Sequence, residues 1–379
     1  MTANSDFYRD FTLLVDGRNT FPVLLDAISH AQKSLLINMF IWRDDEIGNR
    51  IAQAVLDAAE RGVKVTLSVD RYGVVLEKCE EGKRSFFHKR QRLSERIKIA
   101  VLQLMYPMKG TPKCKKDVQS PLYRRIVTHP NIHMDCDRFK ADHSKYFVID
   151  EEILFLGGIN IEDKENGADM QGRVYQDYMV KIIGKDHVNV FFDKMLHGKN
   201  SADSYFFGIN RKSAPRLFEM ERVYLDMINS AQKRLQITMA YFSPLPQFMK
   251  AIADAYRRGV EVTVMIPLCA NFQNASNYKA VKKLMRSTQN GIRLLLSPKM
   301  VHTKMIITES AISFGSTNIT QKAFKQLDEL NLNLKNIPAD FCVSVLESVE
   351  ENYALCRRVL DSRELSYNRL SAFLEGFLV

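Results

Sequence analysis

The chain has 379 residues, of which 46% are hydrophobic and 26% charged, a globular composition long enough for two domains of ordinary size with real cores. Its six cysteines, at 79, 114, 136, 269, 342 and 356, contain no C-x-x-C pair and no metal-ligand spacing, which sets aside a cysteine metal centre and fits free thiols in a reducing cytoplasm. A net charge of +10 and a pI near 9.2 imply an anionic partner without distinguishing nucleic acid from anionic lipid.

The opening residues, "MTANSDFYRDFTLLVDG", are too polar for a signal peptide or a membrane span. Residues 24–42, "LLDAISHAQKSLLINMFIW", read as a helix followed by a strand, and 51–70, "IAQAVLDAAERGVKVTLSVD", repeat that order with Gly62 placed to end the helix. Residues 78–125 then form a basic insert with 14 Lys and Arg against 4 Asp and Glu, an excess equal to that of the whole chain. Within it, Phe86, Phe87, Leu93, Ile97, Val101, Leu104 and Met105 alternate with cations as an interfacial amphipathic segment would, although a helix packed on its own domain fits equally well. Phosphate-backbone binding would use similar cations.

Further along, "DHSKYFVID" at 142–150 has strand composition, and on a strand positions i and i+2 share a face, so His143 and Lys145 project side by side. An apolar run, "ILFLGGIN", then turns through glycine and closes on Asn160. Asp177 opens another apolar strand. The polar stretch 197–214 reads as a linker.

Beyond the linker the pattern starts again. Residues 224–242, "YLDMINSAQKRLQITMAYF", match 24–42 through Asp226 and the Ala-Gln-Lys run, and 249–267 match 51–70 around Arg258-Gly259-Val260. "VHTKMIITE" at 301–309 supplies His302, Lys304 and Glu309, "AISFGSTN" closes on Asn318, and Glu329 opens the next strand. At the end of the chain, Leu370, Phe373, Leu374, Phe377 and Leu378 share a helical stripe that is expected to dock on the core. Alternating helices and strands in both halves predict an α/β fold with largely parallel sheets.

These paired motifs resemble the phospholipase D superfamily, whose H-x-K-x-x-x-x-D signature stands at His143, Lys145 and Asp150 and again at His302, Lys304 and Glu309, with Glu in place of Asp. Within it, residues 44–73 and 241–267 look most like bacterial cardiolipin synthases of the type without amino-terminal transmembrane helices. The resemblance implies two similar domains, 1–196 and 215–379, related by pseudo-twofold symmetry with one active site at their junction. It further implies phosphatidyl transfer through a phosphohistidine, with no metal or cofactor. By the same analogy His143 is the nucleophile, Lys145, Lys304, Asn160 and Asn318 hold the non-bridging oxygens, Asp177 and Glu329 orient the histidines, and Asp150 and Glu309 support the strand pairs.

Chemistry reaches the same residues independently. A phosphodiester repels nucleophiles, so an enzyme without a metal needs fixed positive charge and a nucleophile that can later leave, and two lysines with two histidines provide both. The implied partner is an anionic phospholipid at the cytoplasmic membrane face. A phospholipase D hydrolase, a phosphatidylserine synthase-like transferase, a nuclease and a non-catalytic membrane scaffold remain alternatives.

Overall fold

The computed structural model describes residues 10–81, 85–87, 91–106, 120–199, 204–213, 216–335 and 339–376. Lys89 and Arg90 of the basic insert and Phe377 and Leu378 of the tail lie outside the described residues. The chain divides into two compact units, Leu14–Asn189 and a second built mainly from Val190 onward, with the boundary inside the helix Lys185–His197.

In the first unit, the strands Ser34–Met39, Lys64–Val69 and Ile132–Asp135 run parallel, as helical crossovers require. On the other side of Ser34–Met39 the direction alternates: Tyr146–Ile149, Ile153–Gly157 and Tyr178–Ile183 follow as antiparallel neighbours. Helices Asp16–Ser29 and Glu46–Glu60 cover the sheet, packing Leu24, Ile28, Ile51 and Val55 against Leu35, Ile37, Leu67, Phe147 and Ile149. Asp45 caps the second helix by accepting from Gly48 N–H at 3.1 Å.

The second unit repeats this plan strand for strand. Arg234–Met239, Glu261–Pro267 and Arg293–Ser297 are the parallel set, and Lys304–Thr308, Ala311–Gly315 and Glu329–Lys335 the antiparallel set, in the same order. Its sheet is wider, with Tyr205–Arg211 and Leu217–Phe218 added at one edge and Arg357–Val359 at the other. The shared Arg-Gly-Val sequence has the same task in both units. Gly62 and Gly259 turn the chain at φ +99° and +90°, a left-handed conformation that glycine adopts without strain. The preceding Arg61 and Arg258 reach back to carbonyls at the end of the previous helix, Ile28 at 3.1 Å and Ile228 at 3.2 Å.

Three expectations need correction. Residues 205–211, assigned to the linker, form a full strand beside Glu329–Lys335, because Tyr205, Phe207 and Ile209 alternate and bury one face. Phe86 and Phe87 are core residues, not interfacial ones: their rings lie 6.0 and 5.2 Å from that of the fully buried Trp42, and Phe86 N–H donates to the Trp42 carbonyl at 2.9 Å. The terminal helix Arg369–Glu375 buries Ala372 and Glu375, with Glu375 accepting from Ser276 N–H at 2.7 Å, while Leu370 and Phe373 face solvent. A buried carboxylate with a backbone partner, rather than the apolar stripe, sets that helix's orientation.

Candidate active site

Both histidines stand just before a strand instead of within it, since the ladders begin at Tyr146 and Lys304. This differs from the strand expected over 142–150, and it leaves His143 and His302 at the mouth of their sheets. Both are largely buried, and Lys145 and Lys304 are completely so. Each lysine curls back so that its Nζ donates to the carbonyl of the histidine two residues earlier. That bond ties the ammonium to the histidine backbone and fixes the pair as one object.

Aromatic rings that the sequence reading missed border both pairs. Phe40 lies edge-on to His143 with ring centres 4.9 Å apart, and Lys145 Nζ stands 5.1 Å from the centre of the same ring. The second unit has Ala240 at that position, and Tyr241 supplies the ring instead, 6.4 Å from His302 and held by its hydroxyl donating to Asn271 at 2.8 Å. The only sequence signal for either was its place at the end of the repeated helix-strand segment.

Behind His143 lies a buried acid network without a counterpart in the second motif, where Val301 replaces Asp142. Asp142 accepts from Asn38 Nδ2 at 2.9 Å and from Ser144 N–H at 3.0 Å, and its own N–H donates to Asp70 at 2.6 Å. Burial pushes both carboxyls above the usual range, against the lowering effect of those hydrogen bonds.

The third motif position sits apart from the other two. Asp150 follows the last residue of the strand, about five extended residues or roughly 16 Å of chain from Lys145. There it accepts from the N–H groups of Gln32, Lys33 and Ser34 at 2.8, 2.7 and 2.9 Å, pinning the start of the neighbouring strand. Glu309 does the same for Gln232, Lys233 and Arg234 at 2.9, 3.2 and 3.3 Å. Partial burial raises both pKa values, but the backbone donors outweigh it and hold each below the ordinary carboxylate value.

The small-residue turns lie beside the motifs. Gly157 N–H donates to the Lys145 carbonyl at 3.3 Å, and Gly158 and Ser316 donate at 3.0 Å to the carbonyls of Tyr178 and Leu330. Asn160 and Asn318 end these turns, both buried. Asn318 Oδ1 accepts from Tyr241 N–H at 3.2 Å, whereas Asn160 Oδ1 has no hydrogen-bond partner among the described residues. Asp177 and Glu329, 2% exposed each, open the next strands and turn back onto the same turns, Asp177 against Gly158 and Glu329 accepting from Ser316 Oγ.

The family described as "Cardiolipin synthase, PLD-like domain" matches residues 24–195 and 224–345, one stretch in each unit. A cardiolipin synthase of Clostridium perfringens is 26% identical over 370 residues, covering 91% of this chain and 69% of that one. Cardiolipin synthase B of Shigella flexneri is 27% identical over 273 residues, covering 67% of this chain and 59% of its own length, so under two thirds of that relative is spanned. Among solved structures, phosphatidylserine synthase of Haemophilus influenzae Rd KW20 shares the fold, with a TM-score of 0.70 at 13% identity over 97% of this chain and 92% of that one. With a family match over most of its length and the same motif in both units, the chain belongs to the cardiolipin synthase group of phospholipase D-like proteins.

Proposed function

We propose that this protein transfers a phosphatidyl group through a covalent phosphohistidine, making cardiolipin from two molecules of phosphatidylglycerol at a membrane surface. The observation that carries this reading is the duplicate His-Lys pair, each lysine fully buried and bonded to its own histidine's carbonyl. A buried ammonium gains strongly from a nearby anion, and a phosphodiester supplies one.

The reaction needs two imidazoles in different protonation states, and the two motifs supply one each. Neutral His143 attacks the phosphorus, forming a P–N bond as the P–O bond to glycerol breaks, and protonated His302 gives its proton to the departing glycerol oxygen. A primary hydroxyl of the second phosphatidylglycerol then returns a proton to His302 while its oxygen attacks phosphorus, and the P–N bond breaks. Glycerol and cardiolipin leave, and both imidazoles regain their starting states. Lys145, Lys304, Asn160 and Asn318 hold the non-bridging oxygens, while Asp177 and Glu329 orient the imidazoles. Water in place of the second lipid would make the enzyme a hydrolase, because acceptor choice depends on pocket shape and desolvation rather than on the motif.

The test is to incubate purified protein with phosphatidylglycerol vesicles and, separately, with single-stranded DNA, and to analyse products by mass spectrometry. Cardiolipin with equimolar glycerol supports the proposal. Phosphatidic acid alone makes the protein a hydrolase, and cleaved DNA with intact lipid makes it a nuclease.

A further inference from the structure

The helix Leu93–Met105 has two apolar faces, and the fold uses only one. Glu95, Ile99 and Leu102 are buried, with Glu95 paired to Arg71 at 2.6 Å, which anchors the helix to its own unit. Leu93, Ile97, Val101 and Leu104 are 73%, 57%, 49% and 85% exposed. Each is two positions from a buried residue, and two residues on a helix are about 200° of rotation, so this second stripe points directly away from the first. Large apolar side chains aligned on an outward face mark an interaction surface.

Charge indicates what covers it. Arg96 borders the stripe on one flank, about 100° around the helix from Ile97, and Arg92 and Lys98, both exposed, stand at its margins with their cationic ends 5.6 and 5.4 Å from the Phe139 ring. The helix's one acid, Glu95, is buried against Arg71, so the outward side carries only positive charge. An apolar ridge flanked by cations on long stems matches the boundary between acyl chains and anionic headgroups, where the ridge enters and the cations reach the phosphates.

We propose that this outward face of Leu93–Met105 seats the protein on an anionic bilayer. The inference rests on the lipid-surface reading of the function, and it assigns that contact to four aliphatic side chains, with Arg96 beside them and the exposed Arg92 and Lys98 at the margin. Phe86 and Phe87, buried against Trp42, take no part.

The experiment measures binding to vesicles of phosphatidylglycerol and of phosphatidylcholine, together with turnover of a short-chain phosphatidylglycerol below its micelle concentration. Glutamine favours helix, so Ile97→Gln with Val101→Gln and Leu104→Gln keeps the fold while removing the ridge. This variant is expected to bind phosphatidylglycerol vesicles at least about 30-fold more weakly at both low and high salt, because apolar insertion is not screened. Arg96→Gln with Lys98→Gln should lose about fivefold per charge at low salt and little at high salt. Turnover of the short-chain substrate should match wild type in both. In a Leu104→Trp variant, brominated acyl chains should quench the new indole and leave buried Trp42 bright.

Wild-type vesicle binding by the triple variant overturns the inference. So does a wild-type dimer that the triple variant abolishes, since a second copy would then cover the ridge. Failure of the short-chain turnover alone strikes the proposed reaction and leaves the vesicle result to judge the helix.

Discussion

The carboxylate of Asp177 occupies the space above Gly158, so that a Cβ on that glycine would stand 2.2 Å from Oδ2 and 2.5 Å from Oδ1. The second unit solves the same problem with different residues. Ser316 stands where Gly158 does, and the acid is the longer Glu329, which accepts from the serine hydroxyl. The small residue and the acid are matched within each unit, glycine with aspartate and serine with glutamate.

Gly158→Ala should therefore displace Asp177 and, with it, any group that Asp177 orients. A shift of about 1 Å in a catalytic array costs on the order of 100-fold, and we expect a loss of that size in kcat with KM little changed. Ser316→Ala adds no bulk but removes the hydroxyl that donates to the buried Glu329 carboxylate and accepts from Leu330 N–H at 3.0 Å, and should cost roughly 2–4 kcal/mol of stability. Steady-state kinetics and urea denaturation on both variants measure the contrast.

His143→Ala and His302→Ala should each reduce turnover to background, because attack and proton transfer need separate imidazoles. EDTA should leave wild-type turnover unchanged. In His302→Ala, a phosphoryl adduct should accumulate on His143 and be found by intact-protein mass spectrometry with peptide mapping. An adduct on His302 in the converse variant would exchange the two roles.

Asp150 and Glu309 contribute through backbone donors, so their variants should lose stability before chemistry. Asp150→Asn is expected to cost roughly 1–3 kcal/mol, the range for hydrogen bonds to an ionised acceptor. The folded pKa of Asp150 lies below the unfolded one, so its contribution is complete above the unfolded value near 4 and disappears as pH falls through the folded value. Denaturation midpoints of wild type and Asp150→Asn should converge as pH drops below about 4.

Glu77 titrates in the opposite sense. Burial raises its pKa to about 8, against the attraction of Arg43, and its Oε2 has no hydrogen-bond partner among the described residues. Arg43 itself is held by Glu80 and Glu162, each at 2.6 Å. Below the unfolded pKa the group costs nothing. Between that value and about 8 the unfolded chain ionises and the folded one does not, so stability falls with rising pH across that window. Glu77→Gln should match wild type near pH 4 and exceed it near pH 8 by on the order of 3–5 kcal/mol, measured by urea denaturation at both pH values.

Phe86→Ser should destabilise the fold by about 3–5 kcal/mol, as expected for emptying a buried aromatic site. Vesicle affinity of the fraction that remains folded should be unchanged. Thermal melts and sedimentation at a temperature well below the transition separate the two effects.

Much of this protein was legible in local sequence. Both His-Lys pairs, the Arg-Gly-Val turns and the helix-strand pattern repeated in the two units follow from short motifs and hydrophobic periods, which depend on neighbouring residues alone. Tertiary structure decided the rest, because burial depends on which surface meets an element from elsewhere in the chain. Nothing local to "RSFF" reveals that Trp42 takes both aromatic rings, and nothing in "LSERIKIAVLQL" says which of two apolar stripes faces inward. Arg71 made that choice by burying Glu95. Likewise, Phe40 comes to His143 only because the strand that precedes it pairs with the strand that follows the motif, more than a hundred residues later in the chain.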